Sequence, residues 1–242
     1  MKTLLTITTC NQLKFTKLCD KSLPDLENVD ILYIDDASKD GTVDYLDSKD
    51  RDTIYKQKGV GLTDSWNIAY RIFKNLNYDA LFISNNDVIF NESSIINMIE
   101  ALREYPLVCP LSSRSGAGHN HTYQDVNKYY KIPNSIDRDP DKHKDLLSIL
   151  ENNIVEMDRF NGFFFGVNRD IIKCQSDEKH LFKPKFPQSG QEGDLQNRLI
   201  KKPVVCTGAF IFHFKGVTAP NIGTINGQDK RNLPETIEGY HA

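Results

Sequence analysis

Short apolar runs of strand length punctuate this chain. Leu4 to Thr8, Ile31 to Ile34, Leu81 to Ser84 and Phe210 to Phe214 are blocks rich in leucine, isoleucine and phenylalanine, the pattern of strands buried on both faces. Helical periodicity fills the gaps. From Leu62 to Leu76, the residues Leu62, Trp66, Ala69, Tyr70 and Phe73 fall on one face at the i, i+4, i+7, i+8, i+11 spacing. From Ser93 to Glu104, the pattern turns Ile95, Ile96, Ile99 and Leu102 inward, and Tyr105-Pro106 ends the helix. Strands alternating with helices predict an α/β fold with a mostly parallel central sheet covered on both faces. Such sheets bind ligands at the carboxyl ends of their strands, so chemistry is sought just after each apolar run.

Two segments break the alternation. Residues 112–145 are polar, with two glycines, two prolines, a Tyr-Tyr pair and the charged sequence Asp137-Arg138-Asp139-Pro140-Asp141-Lys142-His143-Lys144; they predict a polar flap or insertion. Its Tyr123, Tyr129 and Tyr130 are candidates for stacking on a ligand. The stretch 219–242 has no periodicity and predicts a surface tail, leaving 1–218 as one domain. Trp66, on the apolar helix face, is expected in the core.

Composition narrows the class. With 242 residues, 39% hydrophobic and 26% charged, the chain can bury one sizeable core. A formal net charge of -3 with scattered Lys and Arg argues against nucleic acid as a partner. Cys10, Cys19, Cys109, Cys174 and Cys206 are odd in number and contain no CxxC pair, which suggests neither a disulfide framework nor a zinc site and fits a reducing cytosol. The opening MKTLLTITTCNQ lacks a secretory apolar core, and no later run is long enough to span a bilayer. A soluble or peripherally membrane-associated protein is the expectation; the oligomeric state leaves no trace.

Two strand ends carry chemistry. After the second run comes Ile34-Asp35-Asp36-Ala37-Ser38-Lys39-Asp40-Gly41-Thr42. Two carboxylates there suit hydrogen bonding to the base or ribose of a nucleotide; equally, these are all turn or helix-cap residues. The run Leu81 to Ser84 continues into Asn85-Asn86-Asp87. A carboxylate beside two amides at the tip of a buried strand can hold a hard cation and leave positions open for diphosphate oxygens, or it can be an Asx turn.

Taken in order, these residues resemble a known family. Ile34 to Thr42 is similar to the "VDDGSxDGT" signature of the inverting family 2 glycosyltransferases with the GT-A fold. Gly61 with Asn67 follows, and Asn85-Asn86-Asp87 is similar to that family's DxD motif in the rhamnosyltransferase-like "NND" form. Asn161-Gly162-Phe163-Phe164-Phe165 resembles the acceptor-side segment, Gln191-Glu192-Gly193-Asp194-Leu195 the "ED-x-D-L" helix start, and His213 with Thr218 the C-terminal metal-and-phosphate segment. The resemblance spans about residues 3 to 218.

The resemblance implies a role for each position. Thr8, Asn11, Asp35 and Asp36 would hold the nucleotide, Gly61 and Asn67 would shape the base and phosphate wall, and Asn85 and Asn86 would face the ribose side. Asp87 and His213 would bind Mn2+ or Mg2+ with the donor diphosphate, and Lys215 and Thr218 would meet phosphate oxygens. Asn161, Gly162 and Phe163 would face the acceptor. Glu192, or Asp194 beside it, would be the catalytic base. The implied reaction is an inverting transfer from a nucleoside diphosphate sugar, UDP-linked first and dTDP-linked next, to a hydroxyl of a glycan or lipid-linked acceptor.

Chemistry asks for such a base independently, since an alcohol must lose its proton as the bond to the sugar C1 forms. Glu192 would otherwise be a helix cap, and a helix N-terminus next to it is expected to lower its pKa. His213, inside an apolar run, is by default a buried hydrogen-bonded residue, and only the resemblance raises it to a ligand. This sequence departs from the pattern in three places: one acid remains in Asn85-Asn86-Asp87, Gln191 replaces the first acid of "ED", and Ala37 stands at the usual glycine. Rival readings are a nucleotidyltransferase, disfavoured because Thr8-Thr9-Cys10-Asn11-Gln12 is no glycine-rich basic loop, and a sugar-nucleotide or glycan-binding module without turnover.

Overall fold

The computed structural model describes residues 1–113, 123–132, 139–142, 146–188 and 190–214. Its centre is β1 (Thr3–Thr9), buried at every position because it has strands on both sides. On one side it pairs in parallel with β2 (Val29–Asp35), which pairs in parallel with β3 (Thr53–Tyr55). On the other it pairs in parallel with β4 (Ala80–Asn85). The chain therefore runs outward through β2 and β3 and returns to the far side of β1. That reversal opens a crevice between the carboxyl ends of β1 and β4, where open α/β sheets take ligands.

Beyond β4 the sheet continues through antiparallel β8 (Phe164–Asn168), then β6 (Leu107–Leu111), β9 (Val204–Phe210) and β7 (Ile154–Glu156). Only β8 and the edge strand β7 run against the rest, so the predicted mostly parallel sheet holds. β5 (Val88–Ile89) and β10 (Phe212–His213) form a separate antiparallel ribbon. This corrects the reading of Phe210 to Phe214 as one strand. β9 pairs with β6 only as far as Leu111, and beyond that end the apolar run has no ladder to join, so it leaves the main sheet at Ile211 and pairs with the segment after β4.

Helices α1 (Leu13–Lys21), α2 (Thr42–Ser48) and α3 (Leu62–Asn75) connect the parallel strands, and α4 (Glu92–Ala101) leads to β6. The face read for α3 is the buried one: Trp66, Ala69, Tyr70 and Phe73 are inaccessible to solvent. Burying a side chain the size of Phe73 contributes on the order of 1.5–3 kcal/mol, and the Ala69 methyl about 0.8 kcal/mol. Of the inward stripe read for α4, Ile95 and Leu102 are inaccessible to solvent and Ile99 packs partly buried against the core, whereas Ile96 is 43% exposed; Ser94, Met98 and Ala101 complete the buried face. Asn91 caps α4 by accepting the Ser94 N–H at 3.3 Å, and the helix ends at Ala101, ahead of Tyr105-Pro106. The core divides between the sheet faces, one half built on α3 with Trp66 and Phe165, the other on α4 with Ile95, Phe82 and Phe164.

Candidate nucleotide and metal site

The β1 and β2 ends are tied together by their own polar groups. Asn11 and Gln12 adopt left-handed backbone angles (φ 60° and 65°), turning the chain over the strand tip. The Asn11 N–H donates to Ser38 Oγ at 2.6 Å, and its Oδ1 accepts from the Lys39 N–H at 2.8 Å. The Asp35 carboxylate accepts from the Thr9 hydroxyl at 2.8 Å and from the Ser38 N–H and hydroxyl at 2.9 and 2.5 Å. Asp36 accepts the Val60 and Gly61 N–H groups, both at 2.9 Å, and pairs with Lys56 at 2.6 Å. Lys56 also reaches Asp64 at 2.7 Å. Thr8, in the final turn of β1, is buried.

Gly61 and Asn67 close the far wall. Gly61 has φ 107°, and a Cβ there would stand 2.7 Å from the Pro187 carbonyl oxygen, so only glycine fits. The Asn67 amide spans the Phe182 backbone, donating to its carbonyl at 2.8 Å and accepting its N–H at 3.0 Å. Both ends of that side chain fasten the loop carrying Phe182, a task its spacing from Gly61 did not reveal. Ala37 has φ 62°, the region that favours the glycine it replaces.

The β4 tip is different. Asn86 is buried and its amide donates to the Asn11 carbonyl at 3.2 Å and the Thr16 hydroxyl at 2.9 Å, which locks the turn to α1. Asn85 and Asp87 flank it, and their Oδ1 atoms are buried without a hydrogen bond. His213 arrives across the ribbon, opposite Val88, and its Nε2 lies 3.3 Å from Asp87 Oδ1. The Phe163 ring stacks on the His213 imidazole at 4.7 Å and 10°, and its carbonyl accepts the Asn85 N–H at 2.9 Å. Phe163, read as an acceptor contact, is thus a buried support for His213.

Among the described residues no group of three or more His, Cys, Asp or Glu forms a closed metal site. The two-residue set at the β4 tip nonetheless suits a divalent cation. Two ligands roughly 2.1 Å from one ion at about 90–110° stand about 3.0–3.4 Å apart, and the observed separation of 3.3 Å falls in that range. A buried carboxylate oxygen and a buried amide oxygen without hydrogen-bond donors are the atoms such an ion would satisfy.

Helix α5 (Gln191–Gln196) holds the two candidate bases in contrasting states. Burial pushes Asp194 up, but Lys183 at 2.7 Å and Arg198 at 2.8 Å outweigh it and hold the carboxyl below its ordinary value. Glu192 is half-buried as a residue while its carboxyl lies deep, and burial raises its pKa, opposed by its own N–H and that of Gly162. The expected lowering by the helix terminus is therefore overturned: α5 is a short helix, and desolvation exceeds what its N–H groups return. Gly162 makes room for this placement, since a Cβ on it would meet Glu192 Oε1 and Trp66 Cη2, each at 2.5 Å.

Other candidates fall elsewhere. The Asn161 N–H donates to Gln124 Oε1 at 2.7 Å. Tyr123 and Tyr130 are engaged by Asp158 and the Glu151 backbone, and Val126 between them is buried, so this part of the expected flap packs on the core. Lys215 and Thr218 lie outside the described residues. Lys56, Lys183 and Gln124 went unread because no local motif marks them, their partners Asp36, Asp194 and Asn161 lying well away along the chain, whereas the Asp194–Arg198 pair stands at the i,i+4 spacing that is visible in the sequence. All five cysteines are free, and among the described residues no helix is long and apolar enough to cross a membrane.

Comparison with known proteins agrees with this layout. The sequence model of glycosyl transferase family 2 matches residues 5–172. No curated protein matches the chain. Among solved structures it superposes on GalNAc-T7 with UDP, GalNAc and Mn2+ with a TM-score of 0.63 at 13% identity, covering 88% of this chain and 44% of that one. For S. aureus TarS 1–349 in complex with UDP-GlcNAc the TM-score is 0.59 at 12% identity, covering 88% and 58%. For the mannosyltransferase PcManGT from Pyrobaculum calidifontis in complex with GDP-Man and Mn2+ it is 0.57 at 11%, covering 91% and 60%. The likeness is one of fold, and this chain spans about half the length of the structures it matches.

Proposed function

The chain belongs to glycosyl transferase family 2, and from that membership we propose that it transfers a sugar, with inversion, from a nucleoside diphosphate sugar to a hydroxyl of a glycan or lipid-linked acceptor. One observation carries this reading. Gly162-Phe163 joins the two titratable groups of the crevice, Glu192 against Gly162 and the Asp87–His213 pair against Phe163. A base and a leaving-group site are what a displacement at C1 needs.

Glu192 accepts the acceptor proton as the hydroxyl attacks, and the bond from C1 to the diphosphate oxygen breaks on the opposite side. Asp194, neutralised by Lys183 and Arg198, serves to fix α5. Asp87 and His213 would hold Mn2+ or Mg2+, which when bound supplies charge neutralisation to the departing diphosphate. The loop fixed by Asp35, Asp36 and Lys56 forms the wall for the nucleotide, with UDP favoured, and dTDP is the close rival because the Asn85-Asn86-Asp87 form also resembles rhamnosyltransferase-like members. The free cysteines support a reducing, cytoplasmic setting, and peripheral contact with a membrane would suit a lipid-linked acceptor.

The test is a panel of UDP-, dTDP- and GDP-sugars with Mn2+, scoring nucleoside diphosphate release by the wild type, Asp87→Ala and Glu192→Gln. Release from one donor, suppressed in both folded variants, is the expected result. Binding of a nucleotide sugar without release, across a range of acceptor glycans, would instead favour a binding module.

A further inference from the structure

Trp66 and Glu192 meet in the notch left by Gly162. Both Trp66 Cη2 and Glu192 Oε1 stand 2.5 Å from the point a Gly162 Cβ would occupy, so the two atoms are separated by no more than twice that distance. The indole is inaccessible to solvent and fixed from two other sides. Phe165 meets it edge-on at 5.5 Å and 74°, and Phe182 packs at 5.1 Å and 59°. Phe182 is in turn immobilised by the amide of Asn67, the residue after Trp66. An aromatic surface held this firmly limits the rotamers of whatever rests on it.

We propose that Trp66 is the positioning residue for Glu192: its indole edge, seated in the Gly162 notch, is the apolar wall that fixes the direction of the carboxylate. This rests on Glu192 being the base. The wall withholds water from one side of the carboxyl, leaving its remaining acceptor capacity for the incoming hydroxyl. Charged groups on the surrounding elements are engaged with others: Asp194 on α5 with Lys183 and Arg198, Asp64 on α3 with Lys56, and Asp87 after β4 with His213. None contributes to the Glu192 shift, whose causes are burial and two backbone N–H groups.

Trp66 is the only tryptophan in the chain, so its emission reports this contact without any substrate. A protonated carboxyl quenches a neighbouring indole more strongly than a carboxylate does. Emission excited beyond the tyrosine band should fall in one step as pH is lowered, with a midpoint above the ordinary glutamate value of about 4.3, while circular dichroism of the same samples stays native. In Glu192→Gln that step should disappear. A step that survives in Glu192→Gln, or no step in the folded wild type, overturns the proposal. The base assignment fails separately: it falls if Glu192→Gln retains wild-type nucleoside diphosphate release, whatever the emission does.

Discussion

The two halves of the crevice use the same residue types in opposite ways. At the β2 end, Asp35 and Asp36 are saturated by hydroxyls, backbone N–H groups and Lys56. At the β4 tip, Asp87 Oδ1 and Asn85 Oδ1 are buried without a hydrogen-bond donor, and on α5 the Glu192 carboxyl is desolvated beyond what its two backbone N–H partners return. A buried acceptor left unsatisfied costs about 1–3 kcal/mol, so the first half stabilises the fold and the second is held at its expense. Stability and chemistry are thus divided by side, although both sides read as acids at strand or helix ends.

The largest effect should come from the strained side. Glu192→Gln is expected to lower nucleoside diphosphate release by about 10²–10⁴-fold while raising the thermal midpoint at neutral pH. The folded pKa of Glu192 lies above its unfolded value, so ionisation in the native state opposes folding. Wild type gains stability as pH falls from above the raised value towards the ordinary glutamate range, and the melting difference between the two proteins should close over that interval. By the same shift, the acid limb of the wild-type pH–rate profile should lie above the ordinary glutamate value.

Asp87→Asn should reduce release with Mn2+ by roughly 10²-fold, in keeping with the several kcal/mol a metal supplies, with denaturant unfolding unchanged or shifted towards greater stability. Asp36→Asn should invert that signature. It leaves Lys56 with Asp64 and the Ser65 hydroxyl and puts an amino group in place of one of the two oxygens that accept the Val60 and Gly61 N–H groups, for a loss of about 2–3 kcal/mol in urea unfolding. Should Asp36→Asn prove neutral, or Asp87→Asn strongly destabilising, the division by side is wrong. The smallest change is Ala37→Gly, which relieves a left-handed alanine and should stabilise by about 0.5–1 kcal/mol.

Periodicity made α3 and the strands β1, β2 and β4 legible, because each buries a contiguous apolar pattern on its own. β3, β6, β7 and β8 were not: β3 and β7 are three residues long and half-exposed, and β8 carries a glycine, Gly166, at its centre and ends on Asn168. The ribbon of β5 and β10 was invisible because two-residue strands have no period, and their pairing joins positions over a hundred residues apart. Motif order located the crevice residues. It could not say which acids were satisfied, since Lys56 and Lys183 reach them across larger separations in the chain. Nor could it see that desolvation would exceed the helix terminus at Glu192.

The dipeptide Gly162-Phe163 has a mechanical consequence. Glu192 rests against its first residue, while the second supports His213 by its ring and Asn85 by its carbonyl. Both groups are therefore gauged from one short piece of backbone at the start of β8 rather than from two independent loops. Thermal displacement of that piece carries the proposed base and the proposed leaving-group site together, so their errors are correlated and the gap between them varies less than either position. A displacement of about 1 Å between such groups can cost about 10²-fold in rate, which makes a shared datum more valuable than stiffness in either wall.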